Sequence, residues 1–557
     1  MAAHAIYGGQ TLNQQEWNEG SPWYVEIVVT KYVDPNSDAS KKFIITNSTA
    51  TCGGVHVGKG KVVTAAHCIT GFELAKTFVR TSDGKRNYPS AAYVHPFFRL
   101  DNATKLDMNN DIAVLTVQGL ENSPAIPLLP LEKAASAYKF KKSMAILGSG
   151  RTQNDKPDEK LRMAILDVVR DTKCSNRYPE HAGYPKFTWN MLCAISSEKL
   201  AVQGIRKGDS GGPLLFEDSA GLHLAGLASW GSQNSRLSRK DPSVFLRTTP
   251  FVDWINELPA TLPVRAITSE KPIGSVAITP DGKYAYVTHP KEGTMSIVPT
   301  SGGGPFSTLK IGGRPNLVVI DPHSNRAYVA DMQSKKLTVI DSNFSSSDLS
   351  EKIELEDNPW SISLSADGSR IHISYMLKSA VSTFDTATGK HINTTHLDNI
   401  ATNIVSTSDG SKIYVLDDSR SAIEIDTVNG ETSKILFNDL AGNGTFTADG
   451  QRAYVTQGSY QIARVDVDRA ESRSYKVGAR PGKIVLAPNG KRAYVLNEGS
   501  NSISVFSIGD DEIQDGVIAT IKVGCKPMKI AITPDGNTLY VTEPNTRDIW
   551  VVDASSF

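Results

Sequence analysis

The sequence predicts an all-β protein built in two dissimilar parts, and three observations predict it. The 557 residues exceed what one hydrophobic core usually holds, so more than one domain is expected. Residues 1–258 read as short apolar stretches bounded by Gly, Pro and Asn, such as Trp23–Val29. From about residue 264 the sequence repeats itself at a fixed period, which takes precedence over any other fold argument.

Composition narrows the function classes. Lys+Arg and Asp+Glu are both 59, a formal net charge of zero, which argues against a broad nucleic-acid or membrane surface. No apolar run approaches the ~18–20 residues of a membrane span, so none is expected. The five cysteines are Cys52, Cys68, Cys174, Cys193 and Cys525. None forms a Cys-x-x-Cys pair, so zinc and thioredoxin-like readings are weak. Two disulfides and one leftover thiol is the simpler account, and it points to an oxidising compartment. Ala3-His4-Ala5 has the small-x-small form of a signal-peptidase site. A secreted, extracellular protein is therefore expected.

Near the end of the first half, Thr249–Leu258 places Phe251, Val252, Trp254 and Ile255 at helical spacing, and Pro259 stops the helix. Residues 259–263 read as a linker between a domain over 6–258 and a repeat domain over 264–557. In the repeats, turns fall at Asp281-Gly282, Asp367-Gly368, Asp409-Gly410, Asp449-Gly450, Asn489-Gly490 and Asp535-Gly536, with Asp321–Asn325 serving in one further unit. Such dipeptides fit two-residue hairpin turns in which both central positions need φ > 0. The strands that follow open at Tyr286, Tyr328, His372, Tyr414, Tyr454, Tyr494 and Tyr540, and these residues are expected to pack the blades. Seven units of ~40–45 residues, each a small antiparallel sheet, indicate a seven-bladed β-propeller, with a solenoid as the alternative. The units, as in Ile278–Thr288, resemble the YVTN propeller repeats. The last unit ends at its third strand, Asp548–Asp553, and Val264–Ile267 has the character to supply the fourth and close the ring.

Three segments of the first half argue together for chemistry: Thr64-Ala65-Ala66-His67-Cys68, Asn110-Asp111-Ile112-Ala113, and Gly208-Asp209-Ser210-Gly211-Gly212-Pro213. A serine hydroxyl is a poor nucleophile until a base takes its proton. Imidazole can do so near neutral pH, and a carboxylate orients it. The developing oxyanion needs donors, and the N–H groups of Gly208 and Ser210 are candidates, worth about 3 kcal/mol each. The order His67, Asp111, Ser210 is that of the chymotrypsin type of triad.

Residues 6–258 resemble the trypsin/chymotrypsin family, which implies a double six-stranded β-barrel and a serine endopeptidase acting on protein or peptide substrates without a cofactor or metal. The resemblance implies disulfides Cys52–Cys68 and Cys174–Cys193. Ser229-Trp230-Gly231 becomes the strand that binds the substrate backbone, and Ser229 contacts Asp111. Ile6-Tyr7-Gly8-Gly9 resembles an activated N-terminus, whose freed ammonium would pair with Asp209 after cleavage following Ala5. The base of the S1 pocket falls at Gly204, with Ile205 next and Ser243 on the floor. No acidic residue is there to pair with a substrate Lys or Arg, so an apolar P1 residue is expected, with Ile205 shortening the pocket. Two features depart from the family: Arg206 and Lys207 stand where a pocket disulfide would be, and Ser149 replaces the Trp of the Gly-x-Gly loop. In the repeats, His289, His323, His372, His391 and His396 are scattered and are read as core or surface residues. Cys525 is read as a free thiol. The propeller is expected to bind a substrate, surface or matrix ligand. The alternative is a binding protein whose protease domain is dormant until Ile6 is freed.

Overall fold

The protein is described here from a computed structural model, covering residues 10–31, 48–70, 74–98, 108–150, 160–179, 184–197, 200, 202–232, 237–238, 240–259, 264–301, 307–324, 326–341, 349–365, 367–407, 410–417, 421–427, 429–436, 441–447, 449–467, 469, 471–509, 516–524, 526–544, 546–555 and 557. Ile6 and Cys525 lie outside the described residues. The chain divides into two compact units, Met1–Leu262 with Ile518–Lys522, and Pro263–Val517 with Val523–Phe557.

In the first unit twelve of the described strands form two sets of six. The first set is β1 Tyr24–Lys31, β2 Ser48–His56, β3 Lys61–Thr64, β4 Phe78–Arg80, β5 Pro89–Val94 and β6 Ala113–Val117. They pair in the order β4-β1-β2-β3-β6-β5. Val25, Ile27, Cys52, Val62, Val79, Ala92, Leu115 and Val117, drawn from all six, bury one common core. The second set is β7 Ser143–Gly148, β8 Arg162–Val168, β9 Met191–Ser196, β10 Pro213–Asp218, β11 Gly221–Gly231 and β12 Ser243–Arg247. Here β7 pairs with both β8 and β10, so the sheet closes into a barrel. Strict alternation of buried and half-buried residues along β8 turns Ala164, Leu166 and Val168 inward, the period-2 pattern of a strand with one face on a core.

Both expected disulfides form, Cys52–Cys68 and Cys174–Cys193. Each closes a short loop, worth about 3 kcal/mol in the chain-entropy model. The helix expected over Thr249–Leu258 is a 3₁₀ turn, Thr249–Phe251, running into an α-helix, Val252–Glu257, with Ile255 fully buried. A helix not anticipated spans Gln14–Gly20. Its signal was in the sequence, a capping box in which Asn13 and Glu16 each satisfy the other's backbone N–H.

In the second unit the blades follow one another as antiparallel meanders. Six are discrete four-stranded sheets, and Pro481–Leu486, Arg492–Asn497 and Ser502–Ser507 form successive strands of the remaining blade. Each inner strand contacts that of the next blade, and the first, Val276–Ile278, contacts the last, Lys529–Ile532, so the ring closes. The strand Val264–Thr268 pairs with Asp548–Asp553, Val264 opposite Val552 and Thr268 opposite Asp548. This is the closing strand expected from the sequence, one residue longer.

The blade turns differ from the expected two-residue hairpins. Gly282, Gly368, Gly410, Gly450, Gly490 and Gly536 take φ of 68–75°, but no aspartate before them among the described residues does. The glycine N–H instead donates back three residues, as Gly282 to Thr279, closing a wider turn. The aspartate is held by its side chain: Asp281 Oδ1 accepts from Thr279 Oγ1 at 2.6 Å and from the Lys283 N–H at 3.0 Å. The same pair of bonds recurs at Asp367, Asp449 and Asp535. These local bonds favour an ordinary αR or bridge conformation at Asp over the left-handed one.

Tyr286, Tyr328, Tyr414, Tyr454, Tyr494 and Tyr540 are buried as expected, and His372 takes the equivalent place in its blade. A feature absent from the sequence reading links neighbouring blades. Arg326 donates to Thr386 O, Arg370 to Thr427 O, Arg452 to Gly509 O and Arg492 to Ala554 O, each on the following blade, at 2.6–3.4 Å.

Candidate active site

His67 sits on the one-turn helix Ala66–Ile69 directly after β3, and the Cys52–Cys68 disulfide ties that helix to β2. Asp111 precedes β6, where Asn110 adopts a left-handed φ of 57°. The Asp111 side chain is 0 % exposed and that of His67 is 23 % exposed. Asp111 Oδ1 accepts the His67 N–H at 2.9 Å, and Oδ2 lies 2.7 Å from His67 Nδ1. Ser229 on β11 donates its hydroxyl to the same Oδ2 at 2.6 Å. A carboxylate can only accept, so Nδ1 carries the proton and Nε2 is left as the basic nitrogen. Burial pushes the imidazole pKa down, but the charge of Asp111 and its hydrogen bond outweigh this and hold it above the ordinary value.

Ser210 lies in the turn before β10, and glycines hold this turn against the first set of strands. The Gly53 N–H donates to Ser210 O at 2.8 Å, and a Cβ on Gly53 would stand 2.7 Å from Gly212 Cα. Gly211 has φ of 76°, and a Cβ there would meet Gly53 O at 2.4 Å, so any side chain would push the turn away. This explains why positions 53 and 211 are glycine. Cys68 Sγ lies 3.9 Å from His67 Nε2 and 3.8 Å from Ser210 O, which places the serine turn beside the imidazole. Among the described residues no hydrogen bond joins Ser210 Oγ to the ring, and the N–H groups of Gly208 and Ser210 are not engaged.

Asp209 is buried beneath this turn. Its carboxylate accepts the Gly150 N–H and the Arg206 N–H, each at 2.8 Å. A Cβ at Gly148 or Gly150 would fall within 2.6 Å of its Oδ1. The Gly-Ser-Gly loop is thus a cradle for Asp209, a role the sequence reading did not assign it. Burial pushes the Asp209 pKa up to about 7 against the two backbone donors and the Arg206 charge.

Gly204, Ile205, Trp230, Gly231 and Ser243 gather where β11 and β12 run side by side. Gly231 is paired with Ser243 across β11 and β12, and Ser243 Oγ accepts the Ile205 N–H at 3.1 Å. A Cβ at Gly204 would meet Leu237 Cδ1 at 3.0 Å and Ser243 Oγ at 3.1 Å. A Cβ at Gly231 would lie 3.6 Å from Ile205 Cγ1, so the isoleucine reaches toward the open side of Gly231. Trp230 stacks edge-on against Tyr178, which in turn donates to Pro242 O at 2.7 Å. Without a cysteine pair here, an ion pair braces the segment leading into β12: Arg177 Nη2 lies 2.6 Å from Asp241, whose other oxygen accepts the N–H and hydroxyl of Ser238 at 2.9 Å. Arg177, Tyr178 and Asp241 were missed because only folding brings them together.

Comparisons with known proteins agree with this geometry. Residues 27–255 match the Trypsin family, and residues 453–555 match the family described as Lactonase, 7-bladed beta-propeller. Bovine (Bos taurus) coagulation factor XI is 26% identical over 260 residues, covering 45% of this chain and 37% of that protein. Protein masquerade of Drosophila melanogaster is 29% identical over 225 residues, 37% of this chain and 20% of that one. Human (Homo sapiens) kallikrein-11 is 28% identical over 230 residues, 40% of this chain and 77% of that one. The chain therefore spans well under half the length of the first two relatives. A solved structure, Kuenenia stuttgartiensis hydrazine synthase, aligns with 52% of this chain and 98% of its own at 15% identity and a TM-score of 0.47, too low to carry an argument. Residues 27–255 belong to the trypsin family of serine proteases, and the repeats that follow them form a seven-bladed β-propeller.

Proposed function

We propose that the chain is a secreted serine endopeptidase that cleaves proteins through an acyl-enzyme. The observation that carries this reading is the imidazole held 2.7 Å from a fully buried carboxylate, beside a serine turn pinned by glycines. Ser210 Oγ attacks the scissile carbonyl as His67 Nε2 takes its proton, and Asp111 stabilises the imidazolium. The N–H groups of Gly208 and Ser210 receive the oxyanion, and His67 returns the proton to the leaving amine. Freeing the ammonium of Ile6 supplies the cation that buried Asp209 needs and fixes the turn carrying those donors. Gly204 and Ser243 at the pocket base give a substrate Lys or Arg no partner, and Ile205 shortens the space, so P1 is apolar and small. The two disulfides support secretion. The propeller holds a protein substrate, a surface or a matrix ligand.

Labelling with an active-site-directed sulfonyl fluoride after exposing Ile6, with the modified residue mapped, tests the peptidase reading. Modification of Ser210 that is lost in His67→Ala is the expected result. No Ser210-dependent labelling or turnover leaves the binding-protein reading instead. Comparing residues 6–258 with the full chain on a short peptide and on a folded protein tests the propeller. A loss confined to the folded protein marks a substrate-holding role.

A further inference from the structure

Inside the propeller, two lysines are placed where blade packing has no use for them. A four-stranded meander returns the chain to the end at which it began, so every inner strand starts at the same end of the ring. At that end the ladder slips in four blades, between Pro315 and Leu317, Pro359 and Ser361, Ala441 and Gly444, and Pro481 and Ile484. A bulge takes side chains out of the ladder and re-aims them. Lys483 lies in the last of these slips, and Lys529 opens the inner strand of the next blade.

Asn403 begins an inner strand two blades before that of Lys483 and is only 3 % exposed. Its Nδ2 donates to Gly444 O at 2.8 Å on the intervening blade, which turns Oδ1 toward Lys483 Nζ, 3.3 Å away. Lys483 therefore reaches past a whole blade, across the mouth of the channel. Lys529 Nζ makes no hydrogen bond or ion pair among the described residues. Glu498 supplies a field there but no contact. Its carboxylate lies over Gly482, where a Cβ would come within 2.6 Å of Oε1.

Both lysines are half-buried and retain part of their surface. The walls around them still matter: burial, then the charge of Lys529, pushes Lys483 down to about 8, and burial lowers Lys529 against the pull of Glu498. Arg480 and Lys526 stand at the corresponding rim positions of these two blades, each just before a proline. They take left-handed φ of 49° and 55°, a strained conformation for a non-glycine residue. Two ammonium groups that repel each other, neither bound by a carboxylate and one oriented by a buried amide, are an arrangement that an anion would complete.

We propose that Lys483 and Lys529, with Asn403 positioning Lys483, form a binding site for an oxyanion, a carboxylate or phosphate group, at the channel end where the inner strands begin. This goes further than the propeller's general binding role and does not depend on the peptidase reading. The test is calorimetric titration of the full chain carrying Ser210→Ala, so that no probe is cleaved, with inorganic phosphate, citrate and a glutamate-rich hexapeptide. Saturable binding is expected, weakened at least about tenfold by Lys483→Met and by Lys529→Met and largely kept in Lys483→Arg. Phosphate or citrate binding alone assigns a free ion, and peptide binding alone assigns a protein carboxylate. A second measurement avoids substitutions: a saturating probe must slow acetylation of Lys483 and Lys529, mapped by mass spectrometry, relative to the other lysines. No saturable binding of any probe, or binding and acetylation unchanged at both lysines, overturns the site. That outcome leaves the propeller's role as a substrate holder to the comparison of peptide and folded substrates, which reads it separately.

Discussion

Aspartates show how differently the two units use the same side chain. In the catalytic unit Asp111 and Asp209 are sealed from solvent, one of a kind, and each sits where a positive partner matters. In the propeller Asp281, Asp367, Asp449 and Asp535 recur near the surface, each tied to a Thr or Ser hydroxyl and an N–H two residues on. Burial raises Asp209, whereas local hydrogen bonds lower the turn aspartates, Asp367 to about 2. In the first unit a single change is expected to remove a function. In the second, each contact is one of several similar contacts round a ring, and its loss is shared.

The largest test of that contrast removes unique groups. Ser210→Ala should lower kcat/KM at least about 10⁴-fold while leaving both units folded, and Asp111→Asn should do much the same by misorienting the imidazole. Activity needs neutral His67, so in the intact enzyme its acid limb should have a midpoint above the ordinary ~6.5. A midpoint below that value would mean that Asp111 does not govern the imidazole.

Next in size is an opposed pH response. The folded pKa of Asp209, about 7, lies above the ordinary ~3.9, so its contribution to stability is complete below about pH 4 and is lost as pH rises toward 7. In protein with the Ala5–Ile6 bond intact, melting of the catalytic unit should weaken over that window by a few kcal/mol, and Asp209→Asn should flatten the slope. The turn aspartates have the reverse sign: their contribution holds above about pH 4 and fades as pH falls toward 2, less steeply because they are exposed to solvent. Thermal melts of Ser210→Ala protein from pH 2 to 8 read both. Slopes of one sign in both units would break the comparison.

Ile205→Gly should open the pocket and shift the ratio of kcat/KM for aromatic over small aliphatic P1 residues by about 10–100-fold, read on a peptide library. The smallest effect is expected in the ring, where Arg370→Met should cost the propeller about 1–2 kcal/mol by denaturant melting, with catalysis on a short peptide unchanged.

The parts legible in the sequence were those encoded by local pattern or by residues too specific to arise otherwise. Turn dipeptides marked six blades and strand tyrosines six, together covering all seven, and the missing fourth strand of the last unit pointed to Val264–Ile267, one residue short of the strand that forms. The cysteine pairs and the contact of Ser229 with Asp111 followed from the family resemblance. What escaped depends on non-local packing. No spacing rule links Gly150 to Asp209, Arg177 to Asp241, or Lys483 to Asn403, since each pair meets only after distant segments dock. The turn type escaped for a subtler reason: Asp-Gly fits a two-residue hairpin, and the Thr or Ser two residues earlier, which tips the balance, was not weighed.

The pairing of Val264–Thr268 with Asp548–Asp553 also sets a schedule for biosynthesis. The ribosome releases the outermost strand of the final blade before any blade exists, and that strand waits unpaired while nearly the whole propeller is translated. A polypeptide halted short of Asp548 carries two open strand edges, the state in which β-proteins most readily associate with one another. Closure of the ring therefore waits until Asp548–Asp553 has been synthesised, and chaperone demand should fall sharply once the pairing forms.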